Sequence, residues 1–140
     1  MRFLLDTCVL SELLRAVPAQ PVVDWIAAQE EVDLCISVLT VGEIHKGAEK
    51  VSDPARRTKI RKWLERDLTE RFYGRILPID IQVARVWGTV QAKAEANGRP
   101  MPAIDGLIAA TAIAHDLTVV TRNTRDMEIS GVSLLNPWTS

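Results

Sequence analysis

Neither sign of charge dominates this chain: 17 Lys and Arg stand against 18 Asp and Glu, a formal net charge of -1 over 140 residues. The balance removes the broadly basic surface with which many nucleic-acid binders neutralise phosphates, but it leaves room for a local basic track. Cysteine is scarce, with only Cys8 and Cys35. Both fall in or beside apolar segments and read as small buried hydrophobes, so neither a disulfide framework nor a zinc site is expected. No apolar run approaches the roughly 20 residues that span a bilayer. The first run, Phe3-Leu4-Leu5, stops at Asp6 and reads as a strand and not as a secretory segment, so a cytoplasmic protein is expected. Aromatic residues make up 5% of the chain, and no base-reading motif is evident. Repeats and linkers are lacking too, so residues 1–140 are expected to form a single domain around one core.

What the chain does have is alternation. Short apolar runs at Phe3-Leu4-Leu5, Leu34-Cys35-Ile36, Ile76-Leu77, Thr118-Val119-Val120-Thr121 and Val132-Ser133-Leu134-Leu135 are separated by longer segments of helical period. Pro21 opens a helix through Trp25 and Ile26, and another follows Ser37 or Thr40 through Glu43 and Ile44. Asp53-Pro54 pairs a capping residue with proline at the first helical position, and Ile60, Trp63, Leu64 and Leu68 then supply an apolar stripe. Val83, Val86, Trp87 and Val90 mark a helix that stops near Asn97-Gly98. Ala103 to His115 is apolar nearly all round, the pattern of a deeply packed helix. Strands and helices in this order predict an α/β fold with a parallel sheet covered on both faces. A ligand crevice is expected beyond the carboxyl ends of its strands.

Three acids interrupt the apolar pattern. Asp6 ends the first run, Glu43 interrupts Leu39-Thr40-Val41-Gly42-Glu43-Ile44, and Asp105 stands inside Ala103-Ile104-Asp105-Gly106-Leu107-Ile108. An ionised carboxylate on an apolar background must be paired, protonated or bound to a metal, and no Lys or Arg lies beside any of them in sequence. Taken singly, each has an ordinary role: a helix cap for Asp6, a half-exposed polar residue for Glu43, and for Asp105 a first-turn acid favoured by the helix dipole. Yet Asp6 follows the first strand, Asn123 follows the fourth, and Glu43 and Asp105 lie near helix starts, so all four are expected at one rim. Acids gathered there suit a hard cation, Mg²⁺ or Mn²⁺, whose usual chemistry is on phosphate groups. A metal-dependent nuclease is the leading expectation.

Four segments carry a resemblance. Leu4-Leu5-Asp6-Thr7, Thr40-Val41-Gly42-Glu43, Asp105-Gly106-Leu107-Ile108-Ala109-Ala110-Thr111-Ala112 and Val120-Thr121-Arg122-Asn123-Thr124-Arg125-Asp126 resemble, in order and spacing, the PIN domain of VapC-type toxins. Gly74-Arg75-Ile76-Leu77-Pro78 and Asn136-Pro137-Trp138 are similar to its FitB-like branch. The resemblance implies a three-layer α/β/α fold with a central parallel sheet of about five strands. It further implies a Mg²⁺-dependent endoribonuclease, the toxic component of a type II toxin-antitoxin system. Such a protein is usually a homodimer inhibited by a VapB-like antitoxin, through which the complex binds operator DNA. Asp6, Glu43 and Asp105 match the family's acidic positions. Asn123 stands where related proteins often carry Asp, with Asp126 three residues later, and Asn supplies a carbonyl oxygen but no negative charge.

Roles follow from residue type. An ion held by Asp6 and Asp105, with Glu43 adjacent or acting through water, is expected to activate a water against a phosphodiester phosphorus. The resemblance favours a 5′-phosphate product. A second ion near Asn123 and Asp126 would stabilise the leaving oxygen, Thr7 and Thr121 would orient the ligands, and Arg122 would hold a substrate phosphate. His45 lies two positions from Glu43, on a different helix face, and His115 suits a helix C-terminus. The basic stretch Arg56, Arg57, Lys59, Arg61, Lys62 and Arg66 reads first as a solvated face and second as an RNA track or antitoxin contact. Trp25, Trp63 and Trp87 are expected in the core, and Trp138 over the sheet edge or at a subunit interface. Two alternatives remain: a DNA nuclease using the same acids, and a subunit that acts mainly by binding antitoxin and operator DNA. A haloacid-dehalogenase-type phosphatase is disfavoured because Cys8 occupies the place of its second Asp.

Overall fold

The computed structural model describes residues 1–139. Five strands, β1 (Phe3–Leu5), β2 (Leu34–Ser37), β3 (Ile76–Leu77), β4 (Thr118–Val120) and β5 (Leu134–Leu135), form one sheet in the order β3-β2-β1-β4-β5. Every pairing is parallel: Phe3 faces Leu34 on one side and Thr118 on the other, Ile36 faces Ile76, and Val119 faces Leu134. Alternate strand residues serve opposite faces, as a strand buried on both sides requires. Phe3, Leu5, Leu34, Ile36 and Val120 enter one core with Val9, Leu10, Val22 and Phe72. Leu4, Cys35, Leu77 and Val119 enter the other with Ile108, Ala109, Ala112 and Met127. The result is the three-layer α/β/α arrangement.

Among the described residues, eight α-helices connect and cover the strands: α1 (Thr7–Leu13), α2 (Gln20–Ala27), α3 (Val38–Glu49), α4 (Pro54–Lys62), α5 (Thr69–Arg71), α6 (Ile81–Ala96), α7 (Ala103–His115) and α8 (Thr124–Met127). Several starts follow from their caps. The Ser37 hydroxyl accepts from the Leu39 amide at 3.0 Å, Asp53 from Ala55 at 3.1 Å, and Asp80 from Val83 at 2.9 Å. Gly106 sits where α6 crosses α7: a Cβ there would lie 3.1 Å from Trp87 Nε1 and 3.2 Å from Gln91 Oε1, so a larger residue would push those side chains aside by a few tenths of an ångström. That crossing seats the first turn of α7, and Asp105 with it.

The observed elements depart from the sequence pattern in two places. The stripe Ile60-Trp63-Leu64-Leu68 does not run along one α-helix. The chain passes from α4 into a π-helical turn at Trp63–Leu68, where the Thr69 hydroxyl donates to the Leu64 carbonyl at 2.9 Å. The fifth strand starts at Leu134 and not at Val132, because Gly131 turns with φ 76° and Val132 drops into the second core. Among the described residues, no helix is long and apolar enough to cross a membrane.

Candidate functional site

Strand order reverses at β1, whose neighbours β2 and β4 are reached by crossovers on opposite sides, and such a switch point opens a crevice at the carboxyl ends of the strands. Asp6 follows β1 there and Thr121 follows β4; the Asp6 amide donates to the Val120 carbonyl at 3.0 Å, which ties the two strand ends together. Asp6 is only 4% exposed. Its carboxylate caps α1 by accepting from the Thr7 amide at 2.8 Å, and its other oxygen accepts from the Thr121 hydroxyl at 2.7 Å. The ordinary cap and the site residue are therefore one side chain. The Thr7 hydroxyl reaches across to α3 and donates to Glu43 Oε1 at 2.6 Å, with the Thr40 hydroxyl 3.3 Å from the same Thr7 oxygen.

Asp105, in the first turn of α7, is half-buried. Burial pushes its carboxyl up to about 6, and the negative charges of Asp6, Asp126 and Glu43 add to the effect. These four acids are therefore electrostatic neighbours. Among the described residues none of them forms an ion pair with Lys, Arg or His. Asn123 and Asp126 are exposed at the start of α8. The Asn123 amide donates to Thr121 Oγ1 at 3.0 Å, but the Asn123 side chain makes no capping bond.

Unneutralised charge of this density suits a hard divalent cation, and the donor set, carboxylate oxygens plus the Asn123 carbonyl, is of the matching type. Among the described residues, no group of three or more His, Cys, Asp and Glu side chains is assembled as a metal-holding set. The residues fit Mg²⁺ or Mn²⁺ by chemistry and charge.

Several neighbours escaped the sequence reading. Cys8 is not simply core: half-buried, its thiol lies 3.7 Å from Asp6 Oδ2 and 3.5 Å from Thr121 Oγ1. Burial and then the Asp6 charge push this thiol up, against hydrogen bonds from the Arg122 amide and Thr121, so it stays a protonated donor. Glu12, 4% exposed, accepts from the Ala19 amide at 3.1 Å and the Trp138 indole at 3.2 Å, and pairs with Arg15 at 3.1 Å. Burial opposes its charge, but those donors outweigh burial and hold the carboxyl below its ordinary range. Trp138 thereby packs on the first core, and the Arg122 guanidinium stacks 5.0 Å from its ring centre. The only sequence signals for this assembly are the buried-type spacing of Glu12 on α1 and the terminal Trp.

The ordinary roles expected of His45, His115, Trp25 and Trp63 have observed counterparts, whereas Trp87 joins neither core and lies half-buried against Gly106. His45 lies 3.6 Å from Glu49, not with Glu43, and His115 ends α7. Trp25 meets Phe3 edge to face at 5.0 Å, and Trp63 packs partly against the first core. Arg61 of the basic stretch pairs with Glu49, while Arg56 and Lys59 flank an apolar groove of about 300 Å³ formed by Leu14, Ala16, Ile60 and Trp63. A second hollow joins Glu43 to Arg56 and Ile60, so the groove runs up to the acidic crevice.

A sheet of this order with acids at its switch point defines the class, and comparison with known proteins makes it specific. The PIN domain family model matches residues 3–130, and the chain belongs to that family. It is 39% identical over 134 residues, 96% of each chain, to the VapC ribonuclease Y4jK of Sinorhizobium fredii. It is 38% identical over 135 residues, 96% of this chain and 97% of the relative, to Toxin FitB of Neisseria gonorrhoeae. The solved structure of FitAB bound to an IR36 DNA fragment superposes with a TM-score of 0.92 at 36% identity, covering 97% of this chain and 95% of that one.

Proposed function

We propose that this protein is a Mg²⁺-dependent endoribonuclease, with Mn²⁺ able to substitute, acting as the toxic half of a toxin-antitoxin pair. The observation that carries the reading is the gathering of Asp6, Asp105, Asp126 and Glu43 at one rim, with the Asp105 carboxyl raised and, among the described residues, no ion pair made by any of the four. Support also comes from relatives of nearly full coverage, one named a ribonuclease and another a toxin.

A hard divalent cation, when bound, supplies neutralisation of phosphate charge and acidification of water. Asp6 and Asp105 would hold it, with Glu43 beside them. Thr7 and Thr121 fix Asp6 through both of its oxygens, and the Thr7 hydroxyl fixes Glu43, so these carboxylates meet the ligand without losing rotational freedom at that moment. Burial and neighbouring negative charge hold the Asp105 carboxyl above its ordinary range, and a bound cation would favour its ionised form. Arg122 offers its guanidinium to a phosphate oxygen from its seat on Trp138, and Asn123 and Asp126 extend the site toward the leaving 3′-oxygen.

The same reading expects a homodimer and a VapB-like antitoxin, with operator DNA bound through the antitoxin. The groove of Leu14, Ile60 and Trp63, flanked by Arg56 and Lys59 and continuous with the Glu43 hollow, is the surface it offers to an antitoxin. A second reading, a binding subunit with little cleavage of its own, is favoured by the uncharged Asn123 and by the unassembled carboxylates.

Cleavage of total and transfer RNA by the purified protein, with Mg²⁺ or Mn²⁺, with EDTA, and with an identically prepared Asp105→Asn protein, separates the readings. The nuclease reading expects metal-dependent cleavage that both EDTA and the substitution abolish. Absence of cleavage under every metal, with Asp105→Asn still fully toxic, would leave the binding subunit.

A further inference from the structure

A polar cavity of about 370 Å³ adjoins the acidic crevice, walled by Arg99, Pro100 and Pro102 from the α6–α7 connection and by Arg125, Asp126 and Ile129 from α8 and the residues after it. Asp126 also adds to the charge that lifts Asp105, so the cavity and the acidic site share that side chain. The loop that carries Arg99 is stiff. Gly98 turns with φ 69°, the Arg99 amide closes α6 on the Ala94 carbonyl at 2.9 Å, and two prolines follow.

The two guanidiniums are uncommitted. Arg15 is paired with Glu12, Arg61 with Glu49, and Arg71 and Arg75 with Glu31. Among the described residues, Arg99 and Arg125 form no ion pair, and their guanidiniums make no hydrogen bond. Two positive charges lining one polar hollow, with a single carboxylate in its wall, select an oxyanion, and guanidinium forks match phosphate oxygens.

We infer that the Arg99–Arg125 cavity is a subsite for a backbone phosphate of the RNA strand, one removed from the phosphate presented to the carboxylates. It sets the register of the strand and reads no base. The inference rests on the ribonuclease reading for its ligand, and it adds a basic anchor to a chain of nearly balanced charge.

The test measures binding of a labelled single-stranded RNA against salt in the Asp105→Asn protein, with and without Arg99→Ala plus Arg125→Ala, alongside cleavage kinetics in the otherwise unaltered chain. The double substitution is expected to weaken binding about tenfold. It should flatten the salt slope by about 0.7 for each phosphate that is no longer neutralised. KM should rise with kcat little changed, Arg99→Lys plus Arg125→Lys should restore the slope, and Arg85→Ala, in the separate groove with Val86 and Lys93, should change nothing. Unchanged affinity and slope in the double variant would overturn the subsite, as would a loss confined to antitoxin or operator-DNA binding, or no RNA binding by any form. A protein that never cleaves but whose RNA binding depends on both arginines would sink the ribonuclease reading and keep the subsite.

Discussion

The two sides of the acidic crevice are built differently. On the side of Asp6 and Glu43, hydroxyl and amide donors from Thr7 and Thr121 hold the carboxylates at 2.6 to 2.8 Å. On the side of Asp105 and Asp126, no side-chain hydrogen bond is made among the described residues, and the acids are positioned by the backbone of α7 and α8 alone. The cause is local. Asp6 leaves a strand end beside another strand end, where threonine hydroxyls are within reach, whereas Asp105 projects from a helix whose neighbours are Ala, Ile and Gly. The fastened side carries geometry; the unfastened side carries carboxylates that form no ion pair among the described residues, the charge that a cation would neutralise under the proposed function.

The sharpest way to break this contrast is at its fastened centre. Asp6→Asn is expected to reduce metal-dependent cleavage by about 10²-fold or more, since it removes a charge at a preorganised position. A steady-state assay on protein of unchanged circular dichroism checks it. Thr121→Val should cost about 10- to 100-fold in activity or metal affinity. It should also destabilise the fold by about 1 to 3 kcal/mol by leaving a buried Asp6 oxygen with only the weak Cys8 thiol as donor, read by chemical denaturation.

On the unfastened side the sign reverses. In the folded chain the Asp105 carboxyl titrates at about 6 and not at its ordinary 3.8, so folding disfavours its ionised form. The metal-free protein should therefore lose stability as pH rises from 3.8 toward 6, and the penalty should persist above that window and vanish below it. Asp105→Asn should remove the penalty and stabilise the metal-free chain at pH 7 by about 1 kcal/mol after solvent screening, while abolishing activity. Thermal melts in EDTA at pH 4 and pH 7 read the difference. Smallest of all, Asn123→Asp should tighten Mn²⁺ binding a few-fold and lower the metal-free melting point slightly, because it adds one more like charge to the same rim.

Much of this architecture was legible in the sequence. The apolar runs at Phe3, Leu34, Ile76 and Thr118 became strands because a sheet buried on both faces needs continuous apolar residues, Asp53-Pro54 opened a helix where expected, and Ala103 to His115 became a helix at its expected bounds. The π turn was not legible, since Trp63–Leu68 keeps the apolar spacing of an α-helix and no local signal marks the change of ladder. In the crevice, the acids stood out against their apolar surroundings. Their fastenings did not: Thr7 meets Glu43 across 36 positions and Trp138 meets Glu12 across 126, and no local pattern reports such contacts. Cys8 was read as packing because thiols usually are, and only the fold set it beside Asp6.

Calorimetric titration of the purified protein and its Asp105→Asn variant with Mn²⁺ tests the central claim most directly, because it asks whether the uncompensated charge exists to hold a cation. Saturable binding by the unaltered chain that disappears in the variant is the result predicted here. Equal binding by both, or none by the unaltered chain, would contradict it.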